Sequence, residues 1–278
     1  MKYVDEFRDP VRAGVLLKEI EALTAQIMAG RDRPVVIMEV CGGHTHSIFR
    51  YGIEKMLPPE IEFAHGPGCP VCVLPMGRVD DCVELAMKPE VIFTTFGDAM
   101  RVPGSRLSLL GAKAEGADVR MVYSPLDALA LARANPDREV VFFGLGFETT
   151  MPSTALTILQ AQAEGIGNFS LFCNHITIIP TIKAILDSPD MGIDGFLGPG
   201  HVSMVIGTDP YDFIARDYHR PLVVAGFEPL DVLHSVWMVL RQMAEGRAEI
   251  ENQYDRIVPR HGNEASLAAV TEVFELRE

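Results

Sequence analysis

VVIMEVCGGHTHS (35–47) runs from apolar, partly β-branched residues into a glycine pair, then a threonine and the start of a helical pattern. VVFFGLGFETTMPS (140–153) repeats that plan. Two further pairs follow at nearly the same offset: VIFTTFGDAMRVPG (91–104) with GFLGPGHVSMVIG (195–207), and SPLDALALA (124–132) with EPLDVLHSV (228–236). Val35 to Val140 is 105 residues and Pro125 to Pro229 is 104, so the chain reads as an internal duplication. Each copy holds four short apolar runs: 35–40, 61–65, 91–96 and 118–123 in the first, then 140–146, 169–173, 195–200 and 221–226. Continuous apolar runs separated by helical stretches indicate parallel sheets covered on both faces. The expected fold is therefore α/β, with two similar lobes of parallel sheet flanked by helices and facing each other across a cleft. The expected boundaries are an N-terminal helical segment at 1–30, a first lobe at 31–133, a second at 134–240, and an extension at 241–278. The extension is polar, with a short helical stretch at 264–275.

The 278 residues carry 24 Lys and Arg against 38 Asp and Glu, a net charge of −14. Such a polyanion repels nucleic acid and anionic lipid, and no basic cluster overrides this. The start, MKYVDEFRDP, is charged and does not resemble a secretory signal. No apolar run approaches the roughly 20 residues that cross a bilayer. Five cysteines, an odd and sparse set in so long a chain, are not a disulfide framework. The expected location is the cytoplasm.

In open parallel sheets, ligands bind beyond the carboxyl ends of the strands. The residues at those ends are Cys41, His44, His65, Asp98, Glu148, Thr149, His175, His201 and Glu228. Cys41 precedes Gly-Gly-His-Thr-His, and the amides of the helix that follows should favour its thiolate. Cys69 and Cys72 form a C-x-x-C pair in HGPGCPVCVLP, stiffened by Pro67, Pro70 and Pro75. That spacing suits a shared metal or a disulfide. No second C-x-x-C exists to complete a four-cysteine zinc site. Three thiolates with one of His44, His46 or His65 remain a possible ligand set. Cys82 (in RVDDCVELAM) and Cys173 (ending FSLFC) read as buried filler. GLGFETT lacks the lysine of a phosphate-binding loop, so Glu148 is either a base or a helix cap.

MEVCGGHTH (38–46), HGPGCPVCVLP (65–75), FGDAMRVPG (96–104), GFETTMP (146–152), PGHVSMVIG (199–207) and GFEPLD (226–231) together resemble the HypD family of hydrogenase maturation factors. The resemblance implies assembly of the Fe(CN)2CO group of [NiFe] hydrogenases. It implies a small chaperone, HypC, that shares the iron, and a partner, HypE, that delivers cyanide as a protein thiocyanate. It makes Cys41 the ligand of the iron fragment and Cys69 with Cys72 the redox pair. It also implies a C-terminal [4Fe-4S] region with four cysteine ligands, whereas no cysteine follows Cys173 here. His44, Asp98, Glu148, Thr149, His201 and Glu228 are the expected lining of the binding cleft. The alternatives are a general thiol–disulfide oxidoreductase, which leaves Cys41 unexplained, and a structural zinc protein.

Overall fold

The structure, a computed structural model, describes residues 5–276; the outermost ends of the expected 1–30 and 241–278 segments lie outside the described residues. The strands are β1 (Val35–Glu39), β2 (Ile61–His65), β3 (Val91–Thr95), β4 (Val119–Met121), β5 (Glu139–Gly146), β6 (Phe169–His175), β7 (Gly195–Pro199), β8 (Leu222–Ala225) and β9 (Ile250–Asn252). The helices are α1 (Pro10–Met28), α2 (Gly42–Tyr51), α3 (Met76–Ala86), α4 (Leu109–Ala114), α5 (Pro125–Ala134), α6 (Met151–Ala163), α7 (Ile178–Leu186), α8 (Gly200–Ile206), α9 (Asp212–Tyr218), α10 (Pro229–Ala244) and α11 (Glu264–Val273). All eight apolar runs are strands, and β9 is an additional strand within the polar stretch after 240. Among the described residues no helix is long and apolar enough to cross a membrane.

Every strand pair is parallel, in two sheets ordered β2-β1-β7-β8-β9 and β4-β3-β5-β6. The two-lobe α/β expectation holds, but the boundaries at 31–133 and 134–240 do not. One compact unit comprises the chain up to Gly68 together with Ile178–Glu264. The other comprises Cys69–Thr177 with the residues from Ala265 on. The repeat is nevertheless written into the topology. If β1, β2, β3 and β4 correspond to β5, β6, β7 and β8, then β2-β1-β7-β8 becomes β6-β5-β3-β4, which is the second sheet read backwards. Each sheet thus takes two strands from each copy. A run buried on both faces carries no mark of which sheet it will join, so sequence similarity revealed the copies and not their exchange.

In the first unit, Val35 and Ile37 of β1 enter a core with Leu197, Val223, Val232, Leu233 and Val236. Helix α1 lays Leu16, Leu17, Ile20, Leu23 and Ile27 against it. Asp9 starts that helix by accepting the Val11 N–H (2.8 Å), and Pro10 follows, where a missing amide costs nothing. In the second unit, successive residues of β3 and β5 alternate between two faces. Phe93, Val141 and Phe143 pack with Cys82 and Leu109, while Ile92, Val140 and Phe142 pack with Ala128 and Ala132. The repeated SPLD and EPLD segments start α5 and α10 in the same way. Asp127 accepts the Ser124 N–H (3.0 Å), and Asp231 accepts the Glu228 N–H (3.2 Å).

The first sheet joins segments about 160 residues apart, and one buried carboxylate ties them at the strands' amino ends. Asp194 is bound by the guanidinium groups of Arg31 and of Arg33 (2.7 and 3.0 Å) and by the Val36 N–H (2.9 Å). Its own N–H donates to the Val36 carbonyl at 2.8 Å. Asp194→Ala removes the charged acceptor shared by these donors. We expect a loss of about 2–3 kcal/mol, read as a lower urea midpoint. An unchanged midpoint would show that the clamp is dispensable.

Candidate functional site

Two strand orders reverse direction, and each reversal makes a switch point of the kind that gathers ligands. In the first unit the reversal falls between β1 and β7. The β1–β7 pairing continues one residue past β1, through the Val40 N–H to Leu197 O (3.3 Å). Cys41 then leaves the strand in an extended conformation and forms the N-cap of α2. Its carbonyl accepts the amides of His44 (2.8 Å) and Thr45 (3.3 Å). Its Sγ lies 3.8 Å from Nδ1 of His201, in the first turn after β7. Cys41 is 8% exposed, and that burial pushes its thiol up. The nearby Gly43 backbone opposes the shift but is outweighed, and Glu39 adds to it. The expected preference for thiolate is therefore reversed. Cys41 holds its proton at neutral pH.

Close packing explains the glycines around Cys41. A Cβ on Gly43 would lie 2.7 Å from Cε1 of Phe227. A Cβ on Gly68 would lie 2.8 Å from the Cys41 carbonyl carbon and closer still to the Gly42 nitrogen. The Gly68 carbonyl accepts the Gly42 N–H at 3.4 Å. The Cys41 turn and the end of the 66–68 loop thus touch backbone to backbone, and the next residue in the chain is Cys69.

Phe227 is the aromatic floor of this site. The His201 ring stacks on it at 3.9 Å and the His44 ring at 4.7 Å. Desolvation lowers the pKa of both histidines, so both are neutral at neutral pH. His201 is exposed and places Nδ1 beside the thiol. His44 is fully buried and donates its Nε2–H to the Ala225 carbonyl (3.0 Å), which makes it part of the support. His46 is exposed. The Nδ1 of His65 is 2.8 Å from Oε1 of Glu39. Glu228 sits at the start of α10 and is held bidentately by Arg8 (2.6 and 2.9 Å).

In the second unit, Cys69 and Cys72 are both free thiols, Cys72 exposed and Cys69 half-buried. A turn closes between them through the Cys72 N–H to Cys69 O (3.1 Å). Sharing a hydrogen bond with Cys69 pushes the Cys72 thiol up, and slight burial adds to this. Val71 and Leu74 anchor the loop on the core containing Cys82. Cys82 is buried as expected, and burial pushes its thiol to about 12. Cys173, expected to be buried, is exposed. Its strand, β6, lies at the sheet edge, so an alternate position faces solvent even in an apolar run. Its Sγ is 3.6 Å from Nδ1 of His175, which burial pulls down to about 4. The second switch point, between β3 and β5, carries an exposed Asp98 that caps a short turn by accepting the Ala99 N–H (2.9 Å). It also carries a buried Glu148 and an exposed Thr149.

The structure thus places Cys41, His44, His201 and Glu228 in the first unit, and Cys69, Cys72, Asp98, Glu148 and Thr149 in the second. Among the described residues no group of three or more His, Cys, Asp or Glu side chains is placed to hold a metal ion, as a closed structural zinc site requires. Sequence reading passed over Glu39, Phe227 and Gly68. For Glu39 a signal existed: it occupies the third inward position of β1, after the buried Val35 and Ile37, and is fully buried itself.

Residues 13–278 match a family described as HypD, hydrogenase formation hypA family. The chain is 70% identical over 277 residues to the hydrogenase maturation factor HypD of Rhodobacter capsulatus, covering 100% of this chain and 74% of that protein. It is 60% identical over 274 residues to HypD of Escherichia coli strain K12, covering 99% and 74%. It is 55% identical over 286 residues to HypD of Azotobacter vinelandii, covering 100% and 74%.

In the native protein, iodoacetamide should label Cys72 and Cys173 ahead of Cys41 and Cys82. Gly68→Ala should bring Cys41 into the labelled set, because its Cβ forces the Cys41–Gly42 backbone to move. Peptide mass spectrometry reads both outcomes. A Cys41 that stays protected in Gly68→Ala would show that the contact does not hold the loop.

Proposed function

Because the chain belongs to the HypD family of hydrogenase maturation factors, we propose that it holds an iron fragment on Cys41 while Cys69 and Cys72 drive cyanide loading. The observation that carries the reading is the meeting of a buried thiol and a neutral imidazole, 3.8 Å apart, at a switch point. The iron fragment is the cargo of the reaction. Cyanide and carbon monoxide favour low-valent iron, which a soft thiolate retains. The Cys41 proton leaves as the sulfur binds, and His201 supplies a second donor that needs no deprotonation. The floor of Phe227 and His44 limits water around the site. A thiolate on Cys41 is masked by burial in the free protein and released only to a ligand able to replace its proton.

Cyanide arrives as a thiocyanate on the partner HypE. One thiolate of the Cys69–Cys72 pair attacks the thiocyanate sulfur, an S–S bond forms, and cyanide departs with the S–C electron pair to the iron. The second thiolate then displaces the partner's thiol, leaving a Cys69–Cys72 disulfide. The dithiol loses two electrons and the thiocyanate gains two, so the step balances without another reductant. Returning the disulfide to a dithiol needs a two-electron donor. Both cysteines being free and sharing a hydrogen bond supports this reading. The chaperone HypC is the proposed co-holder of the iron.

Cys41→Ala should abolish iron retention by the complex with the chaperone. Cys69→Ala or Cys72→Ala should leave iron bound while removing the infrared cyanide bands. Normal iron in the Cys41 variant would refute its role as ligand, and normal cyanide bands in the other two would refute the redox role.

A further inference from the structure

Glu39 is a carboxyl-bearing side chain with no exposed surface, and among the described residues no lysine or arginine is bonded to it. Burying such a group in a strand end is costly unless donors surround it. Here three donors from three places do so: the Cys41 N–H on Oε2 (3.0 Å), the Thr45 hydroxyl on Oε1, and His65 Nδ1 on Oε1 (2.8 Å). Its backbone carbonyl takes a fourth, the Gly66 N–H, at 2.8 Å. Glu39 therefore ties together the turn that bears the thiol, the first turns of α2, the end of β2 and the loop that carries Gly68.

The thiol itself is spared by this arrangement. Cys41 occupies the N-cap of α2 yet makes no side-chain cap bond. An ordinary cap residue spends its side chain on the helix amides. With the Cys41 amide held by Glu39, Sγ is left to face His201. An apolar residue would serve β1 at least as well for packing, since its other inward positions are Val35 and Ile37. Removing the carboxyl alone would leave the Cys41 N–H, the Thr45 hydroxyl and His65 Nδ1 without their acceptor, which costs stability.

We infer that Glu39 is a positioning residue for metal capture: it holds the Cys41 turn so that sulfur and the His201 nitrogen stand ready for one iron. The inference rests on the reading of Cys41 as the iron ligand. Groups that orient a metal ligand without touching the metal are commonly worth a factor of about 10–100 in metal affinity.

The test compares the parent, Cys41→Ala, Glu39→Gln, Glu39→Leu and Thr45→Val, each purified as the full chain in its maturation complex. Iron content, the infrared cyanide and carbon monoxide bands, and the thermal midpoint of the isolated chain are measured for each. Glu39→Gln keeps the shape but loses one acceptor oxygen, and Glu39→Leu keeps the packing alone. Both should retain roughly tenfold less iron or less, with shifted residual bands; Glu39→Gln, which keeps one acceptor oxygen, should hold a thermal midpoint near the parent's, and Glu39→Leu, which orphans the donors, a lower one. Thr45→Val should show a smaller loss, and it carries the test if both Glu39 variants fail to fold. If Cys41→Ala loses its iron while the Glu39 and Thr45 variants keep parental iron and bands, the inference is overturned and the role of Cys41 stands. If Cys41→Ala keeps its iron, the reading of Cys41 fails, and the inference with it.

Discussion

The pairing of β1 with β7 is the constraint on which the rest of the first unit depends. Ile37 lies opposite Gly195 and Glu39 opposite Leu197, so residues about 160 positions apart share one register. Bringing such distant segments together carries a loop-closure cost, which the Asp194 clamp and a shared core offset. One consequence is chemical. Strand order runs outward in both directions from this pair, so the loops after β1 and β7 diverge and leave a gap at their carboxyl ends. Cys41 and His201 face each other there, each two residues beyond its strand.

The duplication gives this site an internal control. Adding or subtracting the repeat offset carries Glu39, Cys41 and His44 onto Gly144, Gly146 and Thr149, and His201 and Phe227 onto Gly97 and Tyr123. The second switch point has the same strand order but neither thiol nor imidazole at the matching places. Phe227 carries two stacked imidazoles, whereas Tyr123 is 85% exposed. Where Glu39 places its side chain, Gly144 has none, and the His175 ring stands within 2.7 Å of where its Cβ would be. Two similar sheets have been retained, and only the first carries a thiol and an imidazole at these equivalent positions.

Much of the architecture was legible because strands buried on both faces announce themselves as unbroken apolar runs, and glycine or proline marks their ends. The three-residue β9 lacks that signature and was read as polar extension. Sheet membership was not legible, since a run such as VIFTT is equally apolar in either sheet. The motif cysteines stood out through their glycine and proline neighbours. Cys173 was misjudged because an edge position is a property of the sheet and not of the run FSLFC. The thiolate expected at Cys41 failed for a related reason: helix amides can be inferred from sequence, but the burial that outweighs them cannot. His44 and His201 look alike as histidines near strand ends, and only packing separates the buried support from the exposed donor.

The central claim is that Cys41 sulfur binds the iron beside an imidazole from His201. X-ray absorption at the iron edge, taken on the maturation complex made with the parent chain, with Cys41→Ala and with His201→Ala, addresses it directly. The account predicts a sulfur neighbour to iron that disappears in Cys41→Ala, and a light-atom neighbour with an imidazole scattering pattern that disappears in His201→Ala. An iron environment that is the same in all three complexes would contradict it.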